Sequence, residues 1–62
     1  MKYGDKVRFR MEYKGLKENW YKAIFLAKDD NGAIEVYIQF PDGYRTTKIA
    51  YIPEYIKEGW KD

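Results

Sequence analysis

The seven residues Ile34 to Phe40 constrain this chain more than any others. Ile34, Val36, Ile38 and Phe40 alternate with Glu35, Tyr37 and Gln39. A period of two is the signature of a strand with one buried face. Both ends of the run are punctuated. Asp29-Asp30-Asn31-Gly32 precedes it, and Asn-Gly supplies two residues that tolerate positive φ, as a two-residue type I′ hairpin turn demands. Pro41-Asp42-Gly43 ends it, because proline donates no ladder hydrogen bond and glycine accepts the turn conformation. Ahead of the first turn, WYKAIFLAK (residues 20 to 28) is apolar and aromatic, with lysines only at Lys22 and Lys28. A hairpin alone is marginal in water, so further strands must cover this one.

Those strands are visible on either side. Lys6 to Glu12 alternates, with Val7, Phe9 and Met11 on one face and Lys6, Arg8 and Arg10 on the other. Tyr13 to Asn19 (YKGLKEN) breaks the alternation and predicts a loop longer than a tight hairpin, with Leu16 tucked beneath it. In the second strand Trp20, Ile24 and Leu26 fall on one side and Tyr21, Phe25 and Ala27 on the other. A strand apolar on both faces sits in the middle of a sheet or bends to serve two faces. Tyr44 to Ala50 predicts a fourth strand with Ile49 in the core. Pro53-Glu54-Tyr55 predicts a short helical turn. Tyr55 to Glu58 then predicts a brief fifth strand against the first, with Ile52 and Ile56 capping the core. Trp60 either folds back on the body or stands exposed.

At 62 residues the chain is one domain, residues 1–62. A chain this short buries only roughly 60% of the surface it exposes when unfolded. It has no cysteine, so no disulfide assists, and no histidine, which excludes the usual Cys/His zinc site. It also has no serine, so the ordinary nucleophiles and their usual base are missing and an enzyme is not expected. Asp29-Asp30 is explained by turn chemistry. No metal or cofactor is implied. Twelve aromatics are more than so small a core needs, and exposed aromatics on a small scaffold hint at a binding face. The net charge of +2 hides an asymmetry: residues 1 to 28 carry eight Lys/Arg against three Asp/Glu, and residues 29 to 62 carry four against seven. That pattern fits either an ordinary soluble surface or a basic face that meets nucleic acid or an acidic partner. No apolar run reads as a signal peptide or a membrane span, so an intracellular location, cytoplasmic or nuclear/nucleoid, is expected. The oligomeric state stays open: a monomer is favoured, and an exposed first or last strand would let the chain pair with itself.

The order of these features resembles the SH3-like barrels, and within them the Tudor and chromo-barrel group. The matching residues are Gly4-Asp5-Lys6-Val7, Trp20-Tyr21-Lys22-Ala23, Asp30-Asn31-Gly32, Val36-Tyr37-Ile38-Gln39-Phe40, Asp42-Gly43 and Ile52-Pro53-Glu54-Tyr55-Ile56. The resemblance implies an all-β fold: a small five-stranded SH3-like (Tudor-like) barrel with a short 3-10 turn before the last strand. It also implies a non-catalytic module for protein or peptide recognition. Tudor-like domains hold methylated lysine or arginine in an aromatic cage, where ring faces attract the cation. By position the cage would be Tyr13, Tyr21, Phe40 and Tyr44, with Asp42 supplying negative charge. The chain departs from the pattern at Pro41, and no aromatic precedes Gly43. Gly4-Asp5-Lys6-Val7-Arg8 is also similar to a plasmid-borne dihydrofolate reductase of SH3-like fold, but that family's Val-Gln-Ile-Tyr motif is absent.

Two other readings stand beside the cage. A small barrel can bind nucleic acid with a basic groove and stacking aromatics, here Lys6, Arg8, Arg10, Lys22 and Lys28 with Tyr37 or Tyr44. The same sequence also fits a phage-type inhibitor of a host protein, or a designed small barrel, with no cage at all.

Overall fold

The computed structural model describes residues 1–51 and 53–61. Five strands appear: β1 (Lys6–Tyr13), β2 (Leu16–Lys28), β3 (Ile34–Gln39), β4 (Arg45–Ala50) and β5 (Ile56–Glu58). A single 3-10 turn, Pro53–Tyr55, precedes β5. All pairings are antiparallel, in one sheet of order β4-β3-β2-β1-β5. The all-β architecture and the turn before the last strand are as the sequence predicts. The ladder itself is open, with β4 and β5 at its two edges.

The alternation in β1 and β3 sorts as expected. Val7 and Phe9 from β1, Tyr21, Ala23 and Phe25 from β2, and Ile34, Val36 and Ile38 from β3 make one buried cluster with Phe40 and Ala50. Val7, Val36 and Ile38 are wholly enclosed. Two predicted core positions differ. Ile49 is 53% exposed, because the register pairs it with outward-facing Glu35 and turns Ala50 inward instead. Leu16 is 63% exposed at the start of β2. Ile56 is half-buried against the cluster, and the predicted capping by Ile52 lies outside the described residues.

β2 is the central strand, which accounts for its two apolar faces. It also bends. Phe25 pairs with Val36 and Ala27 with Glu35, leaving Leu26 as an extra residue in the ladder. Such a bulge sharpens the local twist and redirects the strand. A second irregularity on β2 lies opposite Glu12, where Met11 pairs with Asn19 but Tyr13 with Leu16.

The turns exchange their predicted roles. The stretch from Tyr13 to Asn19 is no loop: β1 turns directly into β2 through Lys14-Gly15, and Tyr13 pairs with Leu16. Both turn residues have positive φ, 54° at Lys14 and 75° at Gly15. That is the type I′ geometry expected at Asn31-Gly32. At the latter, Asp29 N–H instead donates to Ala33 O and Gly32 N–H to Asp29 O, closing a three-residue loop. Only Gly32 is left-handed there, so the loop is a regular turn followed by a glycine bulge. Asp29 favours it by accepting from the N–H groups of Asn31 and Ala33. The β3–β4 connection repeats the design, with Phe40 N–H donating to Tyr44 O and Gly43 N–H to Phe40 O.

Candidate functional site

Two groups of side chains compete for attention. The first lies at the end of the sheet where the Lys14-Gly15 and Pro41-Asp42-Gly43 turns meet. The five residues of the expected cage are together here. Tyr13 stacks on Phe40, with ring centres 3.7 Å apart and planes 8° from parallel. Tyr21 meets both edge-on, at 5.9 Å from Tyr13 and 5.0 Å from Phe40. Tyr44 lies 6.4 Å from Tyr13 and 5.9 Å from Phe40. Phe40 and Tyr21 are core residues, whereas Tyr44 is 56% exposed.

Asp42 organises this end. Its Oδ2 accepts from the Tyr13 hydroxyl at 2.9 Å and from Lys14 Nζ at 2.7 Å, and its Oδ1 accepts from Tyr44 N–H at 3.0 Å. These donors, the Lys14 ammonium first, hold the carboxyl down to about 2. The Lys14 ammonium is held above its ordinary value, chiefly by its hydrogen bond to the same carboxylate. Desolvation, and then donation to Asp42, push the Tyr13 phenol up, so it remains a donor. Lys14 Nζ also lies 5.4 Å from the centre of the Tyr13 ring. The cluster therefore already holds a cation, its own. Face-to-face contact of Tyr13 with Phe40 leaves no room between those two rings for a methylammonium group. Two depressions lie beside them, one of about 290 Å³ bounded by Leu16, Tyr21 and Pro41 and one of about 150 Å³ bounded by Met11, Tyr44 and Thr46.

The second group is the outer face of the sheet. Cross-strand partners share a face, so the register assembles it directly. Arg8 pairs with Lys22 on one side and with Lys57 on the other. Lys22 pairs with Gln39, which pairs with Arg45. Lys57, Arg8, Lys22, Gln39 and Arg45 thus form one row across all five strands, spanning about 19 Å at the usual strand spacing. Lys6 and Arg10 flank Arg8 along β1, opposite Ile24 and Trp20. Of the predicted basic residues, Lys6, Arg8, Arg10 and Lys22 share this face. Lys28 does not: the Leu26 bulge shifts it into register with buried Ile34. Tyr37 is on the face, in register with Ile24 and Thr47, and Tyr44 belongs instead to the aromatic cluster with Tyr13 and Phe40.

Two tryptophans interleave these cations. Trp60 folds back, and its Nε1–H donates to the Ala23 carbonyl at 3.0 Å. Lys6 and Lys22 lie over its ring at 5.1 and 5.3 Å. Trp20 receives Lys57 at 4.6 Å and the Arg10 guanidinium at 5.5 Å. Arg10 also lies 4.9 Å from the Tyr55 ring centre, and its Nε is 3.3 Å from Glu18 Oε1 without hydrogen-bond alignment. Arg8 is oriented by backbone carbonyls, its Nε donating to Gly59 O at 3.0 Å and an NH2 group to Glu58 O at 3.5 Å.

Lys57 and the two tryptophans were not assigned to any site by the sequence. The available signal was weak. Trp20 and Lys22 share a parity, and a fifth strand against the first brings Lys57 beside Arg8. The return of Trp60 has no local signature. Among the described residues no cluster of acidic side chains is arranged to hold a metal ion, and no helix is long and apolar enough to cross a membrane. No protein family, curated protein or solved structure matches this chain.

Proposed function

We propose that this chain is a non-catalytic binding module, a small SH3-like barrel, which docks nucleic acid on the outer face of its sheet. The barrel reading is supported by the way β4 comes round towards β1. Met11 and Tyr13 share a surface depression with Thr46 and Lys48, although no ladder joins the two strands.

One observation carries the functional reading: Arg8 sits directly between Lys22 and Lys57. Like charges placed opposite one another across strands work against folding, by about 0.2–1 kcal/mol for each pair. Edge protection explains a lysine on an outer strand, but β2 is central and needs no such guard. A row of cations over about 19 Å instead suits a line of phosphates. Four of the acidic residues, Asp29, Asp30, Asp42 and Glu54, lie in turns, and Glu18 meets Arg10 at the flank of the row.

A second reading rests on Lys14. Its ammonium, held by Asp42 and lying over Tyr13, displays the kind of group the aromatic end accepts. A lysine or methyl-lysine of a protein partner could exchange with it in a peptide-recognition role.

An amide chemical-shift titration separates the two. A DNA oligonucleotide and a trimethyl-lysine peptide are added in turn, each at low and high salt. The proposal expects DNA to shift residues around Lys6, Arg8, Lys22 and Lys57, and added salt to suppress the change. Salt-insensitive shifts at Tyr13, Asp42 and Tyr44 with the peptide, and none with DNA, would transfer the function to the aromatic end.

A further inference from the structure

The outer face has an internal symmetry of composition. On one side of Arg8, Trp60 carries Lys6 and Lys22; on the other, Trp20 carries Arg10 and Lys57. Each unit is one large ring with two cations on flexible stems. Lys6 and Arg10 are four residues apart on β1, so the units are separated by about 13 Å.

We infer that this face takes single-stranded rather than duplex nucleic acid, with one base stacked on Trp60 and another on Trp20. The inference rests on the nucleic-acid reading above and names the class of ligand. A duplex presents phosphates but keeps its bases stacked within the helix, so it can use the cations and not the rings. A single strand offers both, and stacking on an aromatic ring tolerates any base. The side chains now over each ring are Lys6, Lys22, Lys57 and Arg10, all long enough to swing aside. An arriving base replaces them on the ring, and the released ammonium and guanidinium groups pair with the phosphates on either side. The cation–ring contacts of the free protein thus occupy the faces of the two tryptophans until a strand replaces them. Arg8, fixed by the Glu58 and Gly59 carbonyls, marks the midpoint between the two bases.

Tryptophan fluorescence tests this, because the chain has two tryptophans and both are in the proposed site. Trp20→Phe and Trp60→Phe each leave one reporter and keep an aromatic ring at the altered position. Thermal melts establish that both variants fold. The parent and both variants are titrated with oligothymidylate, with a duplex of equal length, and with heparin, a polyanion without bases. Binding is followed in parallel by anisotropy of labelled oligonucleotides and competition with heparin. Oligothymidylate is expected to quench each remaining tryptophan and to bind at least about tenfold more tightly than the duplex. Duplex binding of equal or greater strength, or oligothymidylate binding that leaves both reporters unchanged, would overturn the single-strand inference and leave the nucleic-acid reading standing. If neither nucleic acid binds at low salt, both readings are overturned.

Discussion

Arg8 and Lys22 face each other directly across β1 and β2, two cations at one cross-strand position in the middle of the sheet. Under the proposed function this arrangement sets stability against binding. Lys22→Glu places a carboxylate opposite Arg8. It is expected to raise the free energy of unfolding by about 0.5 kcal/mol in urea titrations at low salt. The same change should weaken DNA binding at least about tenfold. A variant that is both less stable and equally competent to bind would remove the basis for assigning the row a function.

The salt dependence of binding counts the cations in use. Each phosphate neutralised contributes about 0.7–0.9 to the slope of log K against log salt. Lys57→Gln should therefore flatten that slope by roughly one contact. Lys28→Gln, on the other side of the Leu26 bulge, should leave it unaltered. Equal effects from the two variants would mean that net charge alone attracts the ligand.

Asp42 makes the aromatic end sensitive to acid. Its carboxyl lies at about 2 in the folded chain against an ordinary 3.8. A carboxyl depressed on folding stabilises the native state above its unfolded value. That contribution is lost as the pH falls from about 4 towards about 2. The difference in urea midpoint between the parent and Asp42→Asn should be full at about pH 5 and small near pH 2. A difference independent of pH would detach the Asp42 bonds from the stability of the fold.

Phe40 and Tyr44 bracket the same turn with different duties. Phe40 is 3% exposed and stacked beneath Tyr13, so Phe40→Ala should cost about 3–5 kcal/mol. Exposed Tyr44→Ala should change stability by only about 0.5 kcal/mol. Comparable losses at the two positions would show that Tyr44 supports the fold rather than its surface.

Gly15 tests the unexpected first hairpin. A methyl group there meets open space, but the φ of 75° is one that alanine resists. Gly15→Ala should destabilise the domain by about 1–2 kcal/mol through the backbone alone. No loss would return the segment to a relaxed loop.

Much of the fold was legible because it is written in alternation. Val7 and Phe9, then Ile34, Val36 and Ile38, each declare an inner face, and the structure places them there. Pro53 announced the 3-10 turn. Local pattern failed where distant residues decide the outcome. Lys14 is an unpromising residue for positive φ, and its partner Asp42 is 28 residues away. Without that pairing in view, Tyr13 to Asn19 looks like a loop. Ile49 looked like core because isoleucine usually is, but the β3–β4 register turned Ala50 inward. Tyr13, Tyr21, Phe40, Asp42 and Tyr44 were legible as neighbours, but Lys14 among them and the ring-on-ring closure were not, since sequence gives neighbours and not distances. The basic stripe on β1 was plain from Lys6, Arg8 and Arg10, whereas its extension through Lys57 and Trp60 depended on a strand only three residues long.

That short strand also sets an order of assembly. The β1–β2, β2–β3 and β3–β4 pairings are each made between neighbours in the chain, and such local closures form early. The contact of Arg8 with Gly59 spans 51 residues. Closing so long a loop costs more entropy than closing any of the hairpins, and it is repaid only after the hairpins exist. Lys57 reaches Arg8, and Trp60 reaches Ala23, in that same late step. A chain with only its hairpins formed thus lacks part of the cationic row and one of its two rings, and the outer face is complete only once β5 has docked on β1.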